Sequence, residues 1–180
     1  MSIHLVLGGA RSGKSRYAEA QVSQLARGKA KHYVATATAF DDEMEKRIAH
    51  HQQQRGDSWI EHECPIELAE QLSQFEQGEV VLVDCLTLWL NNVIYNQGKT
   101  LNEEQIQQRI TQLQQAVSEC QADVVFVSNE VGLGVVPLGE VSRLFVDHAG
   151  WMNQALAQVA DRVTLIAAGL PLVLKKSEES

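Results

Sequence analysis

Short apolar runs alternate along the chain with longer stretches whose apolar residues fall at helical spacing. Ile3-His4-Leu5-Val6-Leu7, His32-Tyr33-Val34-Ala35-Thr36-Ala37, Val80-Val81-Leu82-Val83-Asp84, Asp123 to Ser128 and Arg162 to Ala167 read as strands, several of them apolar on both faces. Between them the spacing predicts helices from Ser15 through Val22, ended near Arg27-Gly28-Lys29, and from about Asp42 to Gln54. Another starts at Pro65, with Ile66, Leu68, Ala69, Leu72 and Phe75 on its apolar face, and Gln77-Gly78 closes it. Leu86 to Leu90, Asn102 to Cys120 (Ile106, Ile110, Leu113 and Val117 inward) and Glu140 to Ala160 complete the helices. Trp59 is expected in a loop with Gly56 and Asp57, Asn91 to Thr100 in turns, and Lys176 to Ser180 in a frayed tail. Gly169-Leu170-Pro171 should turn into Leu172-Val173-Leu174-Lys175. Strands alternating with helices predict an α/β fold, a mostly parallel sheet covered on both faces, in one domain over residues 1–180 without repeat or linker.

Composition narrows the class. A chain of 180 residues, 44% hydrophobic, can build a core without disulfide staples. Cys64, Cys85 and Cys120 lie far apart with no C-x-x-C, which favours reduced thiols acting as small buried hydrophobes. The apolar stretch from Val80 to Leu90 is too short to span a bilayer and is broken by Asp84, and no basic segment precedes Ile3, so a cytoplasmic protein with no membrane span is expected. The net charge of −8 excludes a broad nucleic-acid footprint. The anionic partner should be small.

Gly8-Gly9-Ala10-Arg11-Ser12-Gly13-Lys14-Ser15 directly follows the first strand and opens the first helix. This G-x-x-x-x-G-K-[ST] pattern is a phosphate-binding P-loop. Backbone N–H groups converge on an anion, Lys14 adds a point charge, and Ser15 offers a hydroxyl to Mg²⁺. Asp84, ending a buried strand, is placed to hold the same ion, with a cap on the helix that follows as the alternative. Thr36 and Thr38 fall at a strand's carboxyl end, where they either face the nucleotide or cap the next helix. Asn129-Glu130-Val131-Gly132-Leu133-Gly134, at the carboxyl end of another strand, belongs to the same rim.

On the helix expected from Asp42, Arg47, His51 and Arg55 share one face and His50 lies about 100° away, so the two imidazoles would not serve one point. Pattern alone leaves open whether that face is catalytic or merely solvated. A switch GTPase is excluded, because Asp84 is followed by Cys85-Leu86-Thr87 rather than x-x-G and Asn129 by Glu130-Val131-Gly132 rather than K-x-D. A RecA-like ATPase acting on DNA fits the fold but not the acidic charge. A small-molecule P-loop kinase, or something more specialised, remains.

The residues Asp41-Asp42-Glu43-Met44 with Arg47-Ile48 and His50-His51, Val83-Asp84-Cys85-Leu86-Thr87, Ser128-Asn129-Glu130-Val131-Gly132 and Gly150 with Asn153-Gln154, taken with the P-loop and Ala35-Thr36, make the chain resemble one family. It is that of the bifunctional adenosylcobinamide kinases/adenosylcobinamide-phosphate guanylyltransferases (CobU/CobP type). The likeness runs to about Lys175. It implies a RecA-like P-loop NTPase fold and a late step of cobalamin assembly. ATP or GTP would phosphorylate adenosylcobinamide, and GMP would pass from GTP to adenosylcobinamide phosphate through a guanylylated His51, giving adenosyl-GDP-cobinamide. The resemblance also implies nucleotide contacts from Gly8 to Ser15, Thr36, Ala37 and Thr38, Gln52, Gln53, Gln54 and Arg55, Glu63 and Asp84, with Mg²⁺ on Ser15 and Asp84, and a homo-oligomer.

Overall fold

Along β1 (Ile3–Gly8) Ile3, Leu5 and Leu7 pack toward one side of a sheet and Val6 toward the other, so the run is buried on both faces. The computed structural model describes residues 1–37, 58–96 and 98–177. In chain order β1 is followed by α1 (Lys14–Ala26), β2 (Lys31–Ala35), β3 (Trp59–Glu63), α2 (Leu68–Leu72), β4 (Val80–Asp84) and α3 (Leu86–Ile94). The short strands β5 (Tyr95–Asn96) and β6 (Lys99–Thr100) form a hairpin, and α4 (Glu103–Glu119), β7 (Asp123–Asn129), α5 (Glu140–Val159), β8 (Arg162–Ala167) and β9 (Leu170–Lys176) complete the series.

Seven strands form one sheet in the order β3-β2-β4-β7-β1-β8-β9. Every pair is parallel except β8 with β9. One face carries α1 through Ala18, Val22 and Ala26 on Val6, Leu82, Val125 and Val127. The other carries the larger core, where Leu68, Trp89, Ile110, Val117 and Met152 of the remaining helices meet Leu5, Val83 and Phe126. The expected two-sided α/β sheet is the one observed. α4 begins with a complete capping box, Gln105 donating its amide to the Asn102 side chain and accepting from the Asn102 amide.

Three expectations need correction. Residues 59–63 form a strand, not a loop: Trp59-Ile60-Glu61-His62-Glu63 is the outermost parallel strand beyond β2, half exposed, so it lacks the apolar run that marks a buried strand. Residues 91–94 continue α3 instead of turning, because Asn92 is buried and donates its side-chain amide to the carbonyls of Thr36 and Pro65. Lys176 belongs to β9, and Ser177 donates its amide to the Asp161 carbonyl, so the edge strand runs one residue into the expected tail.

The three thiols are free and buried, as expected of small hydrophobes. Burial, reinforced by Glu67 and Glu70, pushes the Cys64 thiol up to about 11. Among the described residues no helix is long and apolar enough to cross a membrane.

Candidate active site

The parallel registers bring five strand ends to one edge. Ala35 of β2 lies opposite both Glu63 of β3 and Asp84 of β4, Asp84 lies opposite Val127 of β7, and Asn129 of β7 lies opposite Gly8 of β1. β7 therefore separates the P-loop strand from the Asp84 strand, and its last two residues reach beyond Asp84 into the gap between them.

At that edge the P-loop closes tightly on itself. Gly13 ends it in the left-handed region at φ 94° and opens α1 without any side-chain cap, which leaves the first-turn amides free to face an anion. A Cβ on Gly8 would collide with the Ser12 Oγ and come within 2.8 Å of the Ile166 carbonyl oxygen, so only glycine fits. Ser12 donates its amide to Gly9 and accepts at its carbonyl from Gly169, which ties the loop to the β8–β9 turn. Its hydroxyl is buried and has no partner among the described residues. Lys14 folds back over the loop, donating from Nζ to the Gly9 carbonyl at 3.1 Å. That backbone oxygen is a weaker partner for an ammonium than a phosphate oxygen would be. The cradle, the orphaned hydroxyl and the folded-back cation fit a bound triphosphate.

Asp84 is half-buried at the end of β4. The N-cap of α3 is Cys85 and no side chain caps that helix, so the structure does not use Asp84 as a cap. The Cys85 thiol registers the charges around it: burial raises its pKa, the Asp84 carboxylate raises it further, and the Lys14 ammonium pulls the other way. Lys14 and Asp84 thus act on one small region. A carboxylate beside a P-loop is a hard oxygen donor of the kind Mg²⁺ takes, with Ser15 on the first turn of α1 as its partner.

The Thr36 side chain has a structural task. It is fully buried, and its hydroxyl donates to the Cys85 carbonyl at 2.7 Å while accepting from the Cys85 amide at 2.8 Å. Its own amide donates to the Asp84 carbonyl. The structure shows this hydroxyl bracing the backbone just after Asp84, and the helix that Thr36 or Thr38 could cap lies outside the described residues.

Glu63 lies exposed at the carboxyl end of β3, on the same edge as the P-loop but beyond β2 and β4. Thr38, Arg47, His50, His51, Gln52, Gln53, Gln54 and Arg55 lie outside the described residues.

One group that motif reading left unassigned is a polar cluster between the two strand ends. Asn129 donates its side-chain amide to the Thr87 hydroxyl at 2.9 Å, and its backbone amide reaches the same oxygen at 3.3 Å. Thr87 in turn lies 3.2 Å from the Cys85 sulfur. The signal available was position alone: a polar residue ending the strand that lies between a P-loop and an acidic strand end.

Comparison with known proteins agrees with this geometry. The chain aligns with a solved ATPase domain at a TM-score of 0.57 and 12% identity, covering 99% of this chain and 78% of that one, which shows a shared fold. The flagellar accessory protein FlaH of Methanocaldococcus jannaschii shares that fold at a TM-score of 0.51 and 11% identity, covering 98% and 79%. The chain is 48% identical over 176 residues to the bifunctional adenosylcobalamin biosynthesis protein CobP of Pseudomonas aeruginosa, covering 95% of this chain and 96% of the relative. To the bifunctional adenosylcobalamin biosynthesis protein CobU of Escherichia coli it is 39% identical over 181 residues, covering 95% and 98%. Residues 4–174 match the profile of the CobU family, described as cobinamide kinase / cobinamide phosphate guanyltransferase. With a P-loop and an acidic strand end on one sheet edge and these relatives over 95% of its length, the chain belongs to the cobinamide kinase / cobinamide phosphate guanyltransferase family.

Proposed function

We propose that this chain, as one nucleotide-binding catalytic domain over residues 1–180, phosphorylates the aminopropanol hydroxyl of adenosylcobinamide with ATP or GTP and then transfers GMP from GTP to the phosphate so formed. The observation that carries the reading is the meeting of the Gly8–Ser15 loop and Asp84 on one sheet edge within a chain of this family. Catalysis of phosphoryl transfer is mainly positioning and charge stabilisation, and this edge supplies both. The loop amides and Lys14 would hold the β- and γ-phosphates. Ser15 and Asp84 would hold Mg²⁺, which when bound offsets phosphate charge. Glu63, at the far end of the same edge, is suited by position to the nucleoside end of the ligand. Thr36, Ala37 and Thr38 and Gln52 to Arg55 stand as further nucleotide contacts on the family resemblance.

His51 is the proposed nucleophile of the second step. A neutral imidazole nitrogen attacks the α-phosphate of GTP, a P–N bond forms, the bond to the bridging oxygen breaks and pyrophosphate leaves. The phosphate of adenosylcobinamide phosphate then attacks the same phosphorus and the imidazole leaves, giving adenosyl-GDP-cobinamide. A cytoplasmic homo-oligomer, without nucleic acid or membrane among its partners, completes the proposal.

Mass spectrometry of the intact protein after incubation with GTP and Mg²⁺ tests it directly. One GMP adduct per chain, discharged by adenosylcobinamide phosphate, is the expected result. A chain that phosphorylates adenosylcobinamide yet never acquires the adduct would reduce the proposal to a kinase.

A further inference from the structure

The corrinoid acceptor must reach the P-loop from somewhere, and a recess in the described surface begins there. Glu130 donates its amide to the Gly8 carbonyl at 3.0 Å. The next residue, Val131, already lines a cavity of about 320 Å³ between the loop after β7 and α5. Successive Cα atoms are about 3.8 Å apart, so the mouth of this recess adjoins the first glycine of the phosphate cradle.

Its walls have a particular chemistry. Val135 and Val136 are 96% and 71% exposed, an unusual cost in water for apolar side chains at the rim of a cavity. Arg143 donates to the carbonyls of Pro137 and Leu138, which holds that loop against α5. At the inner end stands Trp151, 47% exposed, its ring set edge-on against His148 with centroids 4.9 Å apart. Trp151 and Gln154 also line a second cavity, of about 650 Å³, that continues along α4 and α5 past Gln107 and Gln158. The two hollows share this tryptophan–glutamine wall, so together they make a broad surface, apolar near the P-loop and rich in amides farther away.

We propose that this surface is the corrinoid-binding site, with Trp151 as its central contact. The assignment rests on cobinamide being the acceptor. A corrinoid is a wide, nearly flat ring rimmed with methyl groups and primary amides, and its amide-linked aminopropanol arm carries the reactive hydroxyl. Methyl edges suit Val131, Val135 and Val136, the ring suits an indole face, and peripheral amides suit glutamines that both donate and accept. Adenosylcobinamide is cationic before phosphorylation, and Glu103, Glu104 and Asp147 on these walls exceed the single Arg143. With the ring on Trp151, the arm points back toward the Gly8 end of the recess, where the phosphoryl group is transferred.

The test is equilibrium dialysis of the full chain against dicyanocobinamide, read by the absorbance of the corrinoid, with nucleotide affinity and sedimentation velocity measured on the same samples. Trp151→Ala is expected to weaken corrinoid retention tenfold or more and to raise KM for cobinamide in the kinase reaction, with kcat and nucleotide affinity within about twofold of wild type. Val136→Asp changes an exposed position, so folding is undisturbed, and the same loss is expected. Wild-type retention matched by both variants would overturn the location and leave the reaction standing. A wild type that retains no corrinoid with nucleotide present would instead overturn the acceptor itself. Loss of binding only together with dissociation of an oligomer would make this face a contact between copies of the chain, and would equally overturn the assignment.

Discussion

The Thr36 hydroxyl and the Cys85 backbone form a closed pair, the oxygen donating to the Cys85 carbonyl at 2.7 Å and accepting from its amide at 2.8 Å. Cys85 follows Asp84, and the Thr36 amide also holds the Asp84 carbonyl, so β2 fixes the end of β4 through one threonine. Thr36→Val should cost about 1–3 kcal/mol, because the isosteric methyl leaves the buried Cys85 amide unpaired, while the Cys85 carbonyl keeps the Trp89 amide. Urea unfolding measures this. Thr36→Ser, which keeps the oxygen, should recover most of the loss, and equal damage from both substitutions would show that packing is the cause.

Gly8→Ala drives a methyl into the Ser12 Oγ and to within 2.8 Å of a backbone oxygen of β8. Nucleotide affinity should fall at least tenfold through distortion of the cradle. Lys14→Ala should leave the fold intact and lose both phosphorylation and GMP labelling, since both would use the same triphosphate site. Isothermal titration with nucleotide and the two activity assays separate these effects. Full labelling by Lys14→Ala would require a second nucleotide site.

Asp84→Asn should raise the Mg²⁺ concentration for half-maximal rate in both reactions, with nucleotide binding less affected than turnover. The α3 cap is Cys85 and not Asp84, so thermal stability should change little. An unchanged Mg²⁺ dependence would remove Asp84 from the metal site.

For the histidine pair, His51→Ala should abolish labelling by α-labelled GTP while keeping measurable phosphorylation of adenosylcobinamide, since direct transfer of a γ-phosphate needs no covalent enzyme. His50→Ala should keep the label. A phosphoramidate is labile to acid and stable to alkali, so the adduct's stability gives an independent reading. A label persisting on His51→Ala would move the nucleophile elsewhere.

His4 lies buried in β1 with its Nε2 at 2.9 Å from the Thr164 hydroxyl, and burial, aided by the Arg162 charge, lowers its pKa from 6.5 to about 4. Below 6.5 the unfolded chain takes up a proton that the folded chain refuses, so stability falls between pH 6.5 and about 4 and levels off beneath. The loss is at most about 3 kcal/mol. His62 is shifted in the same direction, chiefly by burial and then by His32, with Glu79 opposing. Urea unfolding of wild type and His4→Gln at pH 7 and pH 5 measures the His4 share; parallel losses in the two proteins would assign the acid sensitivity elsewhere.

Taken alone, the sequence determined those features whose physics is local. A strand apolar on both faces, a glycine-rich turn and a helix opened by Lys14 need only neighbours along the chain, and so the P-loop, the acidic strand end at Asp84 and the doubly covered sheet could all be read from it. The family was legible too, through longer motifs. What partners decide across the chain was not. Trp59 to Glu63 becomes a strand because β2 offers it an edge, Asn92 stays helical because Thr36 and Pro65 take its amide, and Thr36 becomes a brace because Cys85 lies opposite. The strand order is likewise a tertiary result: it alone sets Asn129 between Gly8 and Asp84, and it brings the loop after β7 against α5 to shape the recess at Trp151. Hydrogen bonds and cavities between residues distant in sequence leave no periodic trace in it, because the pairing that creates them is chosen by the packed fold.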